Sequence, residues 1–165
     1  MAIQGIIQPG IIPIGENLRL RKFDGVYDFA LVWYQDPELV WLVDGKREPY
    51  DRDRLSRMYR YLNDAGELYF IETRIDGRFT PIGDVTFRQE DMPIVIGNPA
   101  FRGRGIGRRV ISALVRRGRA LGYPHLSVRE IYDWNEASRR CFESVGFRAN
   151  SKTEKGAGFL LKLER

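Results

Sequence analysis

The densest run of chemistry-bearing residues is NPAFRGRGIGRR, Asn98 to Arg109. It follows the apolar run MPIVIG and opens a segment in which Ile106, Val110, Ile111, Leu114, Val115 and Leu121 recur at helical spacing, with arginines opposite. Glycines at a strand-to-helix turn let backbone N–H groups converge, and the positive end of the helix adds the charge that holds a phosphate. Spacing excludes two nucleotide motifs. The run lacks the Gly-Lys-Ser/Thr of a P-loop, and Gly103, Gly105 and Gly107 read G-x-G-x-G, not G-x-G-x-x-G. The competing reading is a Gly-rich turn beside a solvated arginine face.

Charge distribution sharpens the anion reading. Seven arginines and no acid lie between Arg102 and Arg119, so this stretch carries +7 in a chain whose net charge is +5. The rest of the chain is left at −2. No aromatic residue interleaves those arginines, which is a poor pattern for stacking nucleic-acid bases. Asp36 to Asp53 is the opposite case, with six acids against Lys46, Arg47 and Arg52 beside Trp33, Tyr34, Trp41 and Tyr50. That segment suggests a wall for a cationic or aromatic amine, or simply the solvated side of amphipathic helices. The single Cys141 excludes an internal disulfide, and with one histidine, His125, a zinc site of Cys and His is excluded, so no metal is expected.

These residues need a scaffold, and 165 residues suit one domain that buries roughly 70% of its unfolded surface. Apolar residues at 43% and charged residues at 30% exclude disordered and low-complexity classes. No stretch approaches the roughly 18 apolar residues of a membrane span, and MAIQGIIQPGIIPIG has no basic leader, so the chain is expected in the cytoplasm. Residues 1–16 read as an irregular leader, apolar enough to cover a groove on this domain or a partner. Strands are expected at Leu18 to Phe23, Glu67 to Ile75, Phe79 to Phe87, Met92 to Gly97, His125 to Ile131 and Gly158 to Glu164. Helices are expected at Gly25 to Gln35, Asp51 to Leu62, Gly105 to Leu121, and from a capping-box-like Asp133/Glu136 start to Gly146. The segment between the first two helices reads as broken by Pro and Gly. The class is α/β (α+β).

At the glycine run the chain resembles the GNAT superfamily of N-acetyltransferases, whose acetyl-CoA loop reads Gln/Arg-x-x-Gly-x-Gly/Ala. Here it is Arg102, Gly103, Arg104, Gly105, Ile106, Gly107. About 30 residues further on, the family pattern Asn-x-x-Ala/Ser-x-x-x-Tyr-x-x-x-Gly-Phe is matched by Asn135, Ser138, Phe142, Gly146 and Phe147, with Phe for Tyr. The resemblance implies one GNAT-like domain over 1–165, an acetyl-CoA core at 92–147, and a mixed, mostly antiparallel central sheet of six to seven strands with about four helices. It further implies that amides around Arg104, Gly105, Gly107 and Arg108 hold a pyrophosphate, with charge from Arg102 and from Arg108 or Arg109. The main chain near Val95 and Ile96 would pair with the pantetheine arm, which Asn135 would also touch.

The activity so implied is direct transfer of acetyl from acetyl-CoA to an amine of a small molecule or peptide, by a monomer or homodimer, without nucleic acid or membrane. An amine with a pKa near 10 is mostly protonated at neutral pH, so a carboxylate or a water relay must take its proton. The family's usual place, the strand Met92 to Gly97, has no carboxylate, which leaves Asp84 and Glu130 on the flanking strands. Each reads also as a residue on a solvated strand face, Glu130 more so than Asp84. With Phe142 in the tyrosine position, Tyr132 or water is left to protonate the thiolate, and Tyr132 reads also as a tyrosine bonded to a carbonyl. Cys141 reads as a core thiol. The alternative to an enzyme is an acetyl-CoA or CoA-binding module with little or no turnover.

Overall fold

The computed structural model describes residues 2–163. Strands β1 (Ile11–Gly15) and β2 (Leu18–Lys22) lead into two short 3-10 turns, Asp28–Ala30 and Trp33–Gln35, then helices α1 (Pro37–Asp44) and α2 (Arg52–Ala65). Strands β3 (Glu67–Ile75), β4 (Arg78–Phe87) and β5 (Ile94–Ile96) form a meander, and a 3-10 turn at Pro99–Phe101 precedes α3 (Ile106–Ala120). The chain ends with β6 (His125–Tyr132), α4 (Glu136–Val145), β7 (Arg148–Lys152) and β8 (Gly156–Lys162). The expected last strand reached Glu164, which lies outside the described residues.

The strands make two sheets with antiparallel pairing throughout, ordered β1-β2-β3-β4-β5 and β6-β8-β7. The class is as expected, with eight strands among the described residues where six to seven in one sheet were expected. The excess comes from β1, inside the leader read as irregular, and from β7. Every residue of β7 is exposed, so it carries no apolar alternation to betray it. The sheets are joined at one end, where Ser127 N–H donates to the Gln89 carbonyl at 2.9 Å and Arg129 N–H to Asp91 Oδ1 at 3.1 Å. Beyond that point β5 and β6 share no ladder.

Strand β3 is buried on both faces, which is why ELYFI is continuously apolar around its single acid. Tyr69 and Ile71 pack with Val110, Ile111 and Leu114 of α3 and Phe142 of α4. Leu68 and Phe70 point the other way, into a cluster with Tyr34, Leu39, Val40, Leu55 and Tyr59. The acid, Glu67, is 1% exposed. It accepts Nε and Nη2 of Arg117, both at 2.6 Å, and the Tyr69 hydroxyl at 2.9 Å.

Two helical expectations need correction. Residues 25–35 make two 3-10 turns, not one helix, and α1 fills the segment read as broken. Its signals are present: Asp36 caps it by accepting Glu38 N–H, Pro37 occupies its first turn, and Gly45 ends it at φ 70°. The start of α4 also differs. Asn135, not Asp133, is the cap, accepting Ser138 N–H at 3.2 Å, while Asp133 N–H donates to the Lys155 carbonyl.

The Glu67 pair gives a stability test. Arg117→Ala leaves a buried charge short of its partner, and urea unfolding should show a loss of about 3 to 5 kcal/mol, recovered in large part by adding Glu67→Gln. A loss below about 1 kcal/mol would mean the pair behaves like a solvated surface bridge.

Candidate functional site

Where β5 leaves β6 unpaired, a cavity of about 470 Å³ opens. One wall is β5 itself, Ile94 to Ile96, and a second is Leu39, Leu42 and Val43 of α1. The loop before α3 and the first turns of α3 and α4 complete it. The α1 wall is fastened across the gap. Trp134 stacks between Trp41 and Tyr132, with centroid distances of 4.5 and 4.6 Å, and donates its indole N–H to the Trp41 carbonyl at 3.0 Å. Asn135 Nδ2 donates to the Leu42 carbonyl at 3.3 Å, so the residue that caps α4 also ties it to α1.

The N-terminus of α3 meets this cavity without a side-chain cap. Its cap residue is Gly105 at φ 75°, and a Cβ at Gly103 or Gly105 would meet no protein atom within 4 Å. The first-turn amides therefore lie beside open space at the positive end of a 15-residue helix, which is the geometry of an anion site. Gly107 has another reason to be small: its missing Cβ would lie 3.2 Å from Cys141 Sγ, where α3 and α4 approach.

The arginines of the loop divide by role. Arg108 lines the cavity and makes no ion pair among the described residues. Arg102 also lines it, yet Nε donates to the Ile96 carbonyl at 2.9 Å and Nη2 to the Gly97 carbonyl at 3.2 Å, bracing the loop against β5. Arg104 turns away to lie over the Phe101 ring at 5.2 Å and is not on the wall. Arg109 lies against Gly15 of β1, so of the expected pair Arg108 or Arg109 it is Arg108 that faces the cavity.

Register decides which β5 amides face the gap. Thr86 N–H bonds the Pro93 carbonyl and Asp84 pairs with Val95, so alternation turns Pro93 and Val95 toward β4 and Ile94 and Ile96 outward. Val95 thus contributes its side chain to the cavity, while its main chain pairs with Asp84. Ile96 offers main chain, with its carbonyl already taken by Arg102. Gly103, Gly105, Ile106, Gly107, Asn135 and Ser138 all line the cavity.

The expected catalytic residues are not brought together. A bulge in β6 between Val128 and Ile131 leaves Arg129 and Glu130 both exposed, and Glu130 is not on the cavity wall. Tyr132 is held in the aromatic stack, also off the wall, its hydroxyl pKa raised by burial and by Glu130 and Asp44. Asp84 is not on a solvated face; it is 2% exposed, behind Val95. Its Oδ2 accepts the hydroxyls of Tyr34 at 2.7 Å and Tyr59 at 2.9 Å. Burial outweighs those two hydrogen bonds and pushes its carboxyl pKa up to about 6.

The acidic segment is largely neutralised from within. Asp44 takes Arg54 at 2.8 Å and the Tyr50 hydroxyl at 2.6 Å, Glu38 pairs with Arg47, Asp53 with Arg57, and Asp36 and Asp51 cap helices. The cavity residues that sequence reasoning missed are the α1 wall, Phe101, Ala137, Arg140 and Cys141. Of these, Cys141 follows from helical geometry once Ser138 is placed, because it lies three residues on, on the same side of α4. A second cavity of about 260 Å³, between Tyr27, Asp28, Arg52 and Leu55, holds none of the expected residues.

A family model for the acetyltransferase (GNAT) family matches residues 30–147. The chain belongs to the GNAT acetyltransferase family. The activity of that family is acyl transfer from acetyl-CoA. A search among curated proteins finds no match. Solved structures share the GNAT fold at low identity. A GNAT-family acetyltransferase from Bacillus anthracis has a TM-score of 0.74 at 15% identity, covering 92% of this chain and 98% of that one. Spermidine N-acetyltransferase from Vibrio cholerae, solved with CoA and spermine, gives 0.69 at 17%, over 90% and 96%. A Salmonella typhimurium acetyl transferase that modifies the N-terminal serine of a 50S ribosomal subunit protein gives 0.71 at 17%, over 93% and 99%. Against the GNAT pattern this chain departs at Phe142, which is 1% exposed and packed edge-on to Phe147 at 5.2 Å.

Asp84 should cost the fold stability. Its folded pKa lies above the unfolded value of 3.8, so the native state keeps a proton that the unfolded chain has released. Stability is full below about pH 4, falls as pH rises through about 6, and is lower by about 3 kcal/mol above that. Asp84→Asn should therefore unfold at higher urea than wild type at pH 8 and lose that advantage at pH 4. Equal midpoints at pH 8 would show the carboxylate to be stabilised by its surroundings.

Proposed function

We propose that this chain moves the acetyl group of acetyl-CoA directly to an amine of a small molecule or peptide. The observation that carries the reading is the uncapped N-terminus of α3 at a slot between the open edge of β5 and α4. The slot fits a long ligand with an anionic middle. Amides of the first turn of α3, with Arg108, would hold the pyrophosphate, and the slot between β5 and α4 would take the pantetheine arm. One GNAT neighbour is solved with spermine and another modifies a protein's N-terminal serine, so the fold does not choose between such amines.

The donor, when bound, supplies an acetyl thioester. The chain's own part is to orient and to move protons. The outward N–H of Ile96 would donate to the acetyl carbonyl oxygen, in a wall of apolar side chains that strengthens the bond. As the amine nitrogen bonds to the acetyl carbon and the carbon–sulfur bond breaks, the amine proton passes through water to Asp84. A carboxyl with a pKa of about 6 suits a proton acceptor near neutral pH better than an ordinary aspartate. The thiolate takes its proton from solvent, since Phe142 has no hydroxyl to give and Tyr132 is off the wall.

The buried Phe142 also favours the second reading, a CoA-binding module with little turnover. Calorimetry with acetyl-CoA and turnover with a panel of primary amines and peptide N-termini separate the two. Gly105→Glu, folded by circular dichroism, should lose binding, and Arg108→Ala should weaken it by roughly ten- to a hundredfold. Asp84→Asn should bind like wild type and turn over at least tenfold more slowly. Binding without turnover of any amine would leave the module; no binding by wild type would overturn both readings.

A further inference from the structure

The two tyrosines on Asp84 belong to different elements and converge on one atom. Tyr34 comes from the 3-10 turn before α1 and Tyr59 from the middle of α2. Both hydroxyls donate to Oδ2, at 2.7 and 2.9 Å, and among the described residues no protein donor reaches Oδ1. The rings are themselves fixed. Tyr34 is 1% exposed and lies edge-on to Tyr59 at 6.3 Å and tilted on Tyr50 at 5.1 Å, while Tyr59 packs against Tyr27 and Phe70. Tyr50 N–H donates to the Tyr34 carbonyl at 2.9 Å, tying down the turn that carries the hydroxyl.

This arrangement is unsymmetric for a reason. A buried carboxylate held only for structure is stable when both oxygens are bonded, whereas here one oxygen takes two donors and the other takes none. The free oxygen belongs to a residue paired across the ladder with Val95, and side chains paired in this way lie on the same face, about 5 Å apart. Val95 lines the cavity. The carboxyl is therefore one side chain behind the wall.

We propose that Tyr34 and Tyr59 are positioning residues that clamp Oδ2 of Asp84 and so reserve Oδ1 as the proton acceptor for the transfer. The proposal rests on the acetyltransferase reading above. The titratable groups that face Asp84 are these two tyrosines and Tyr50; β5 and the facing stretch of β3 present Val95 and Phe70, which carry no charge. All three tyrosines have pKa values raised above the ordinary range by burial, so they remain protonated donors. The hydrogen bonds of Tyr34 and Tyr59 favour the ionised carboxylate and hold the Asp84 pKa below where burial alone would put it.

The test removes one hydroxyl at a time with Tyr34→Phe and Tyr59→Phe, checks folding by thermal melting, and reads two quantities. The first is the carbon-13 titration of the Asp84 carboxyl in the free protein, assigned by its absence in Asp84→Asn. Wild type should titrate near pH 6 and each variant half a unit or more higher. The second is the pH profile of acetylation of whichever amine the panel identifies. The acid limb of kcat should move up with the titration, kcat should approach wild type at pH 9, and the KM for acetyl-CoA should stay constant. A purely structural role would lower the melting temperature and shift the carboxyl titration while leaving the acid limb of kcat in place, which would overturn the proposal. A wild-type carboxyl titrating near 4 would overturn it as well. Binding of acetyl-CoA with no amine turned over by wild type would overturn the transferase reading and this proposal with it, whatever the titration shows.

Discussion

A backbone amide removed from water must find a partner, and the unpaired edges of β5 and β6 are where this chain leaves that requirement open. The sheets are bonded together at Gln89, Asp91, Ser127 and Arg129 and then part. The cavity exists because of that split. The outward main chain of Ile94 and Ile96, the uncapped first turn of α3 and the α1 wall all surround the same gap. Arg102 meets part of the need by capping the carbonyls of Ile96 and Gly97.

Holding the gap open requires rigidity on either side. On one side α3 and α4 pack on the sheet through an apolar cluster, anchored at the Glu67–Arg117 pair. On the other, the aromatic cluster of Tyr34, Tyr50, Tyr59 and Phe70 carries α1 and α2. Trp134 and Asn135 bridge the two sides across the cavity, so α1 is a wall by virtue of contacts made more than ninety residues away in the chain.

In the proposed reading, Asp84 sets function against stability. Burying a carboxylate with one oxygen unbonded works against the folded state, and a structural position would be filled more favourably by an uncharged residue. The chain keeps the acid and surrounds it with hydroxyls that support its ionised form. Departures from the simplest fold rule of this kind are expected where chemistry is done.

Much of the architecture is legible in the residues. Apolar runs on either side of the Asp76-Gly77 turn mark β3 and β4, and the helical recurrence from Ile106 to Leu121 marks α3, because turn chemistry and helical period follow from backbone geometry alone. The glycine and arginine run announces an anion site for the same reason, since a turn and a helix terminus are local objects. Less visible are β7, whose residues are all exposed, and α1, whose Asp-Pro start and Gly stop read as breaks. What only the tertiary structure decided is which side chains share the site. Asp84, Glu130 and Tyr132 are alike as polar residues in strand context, and nothing nearby in sequence separates them. A bulge puts Glu130 outside, a stack with Trp134 holds Tyr132, and pairing with Val95 sets Asp84 behind the wall. Register and long-range packing are sums over residues far apart in the chain, and no local pattern contains them.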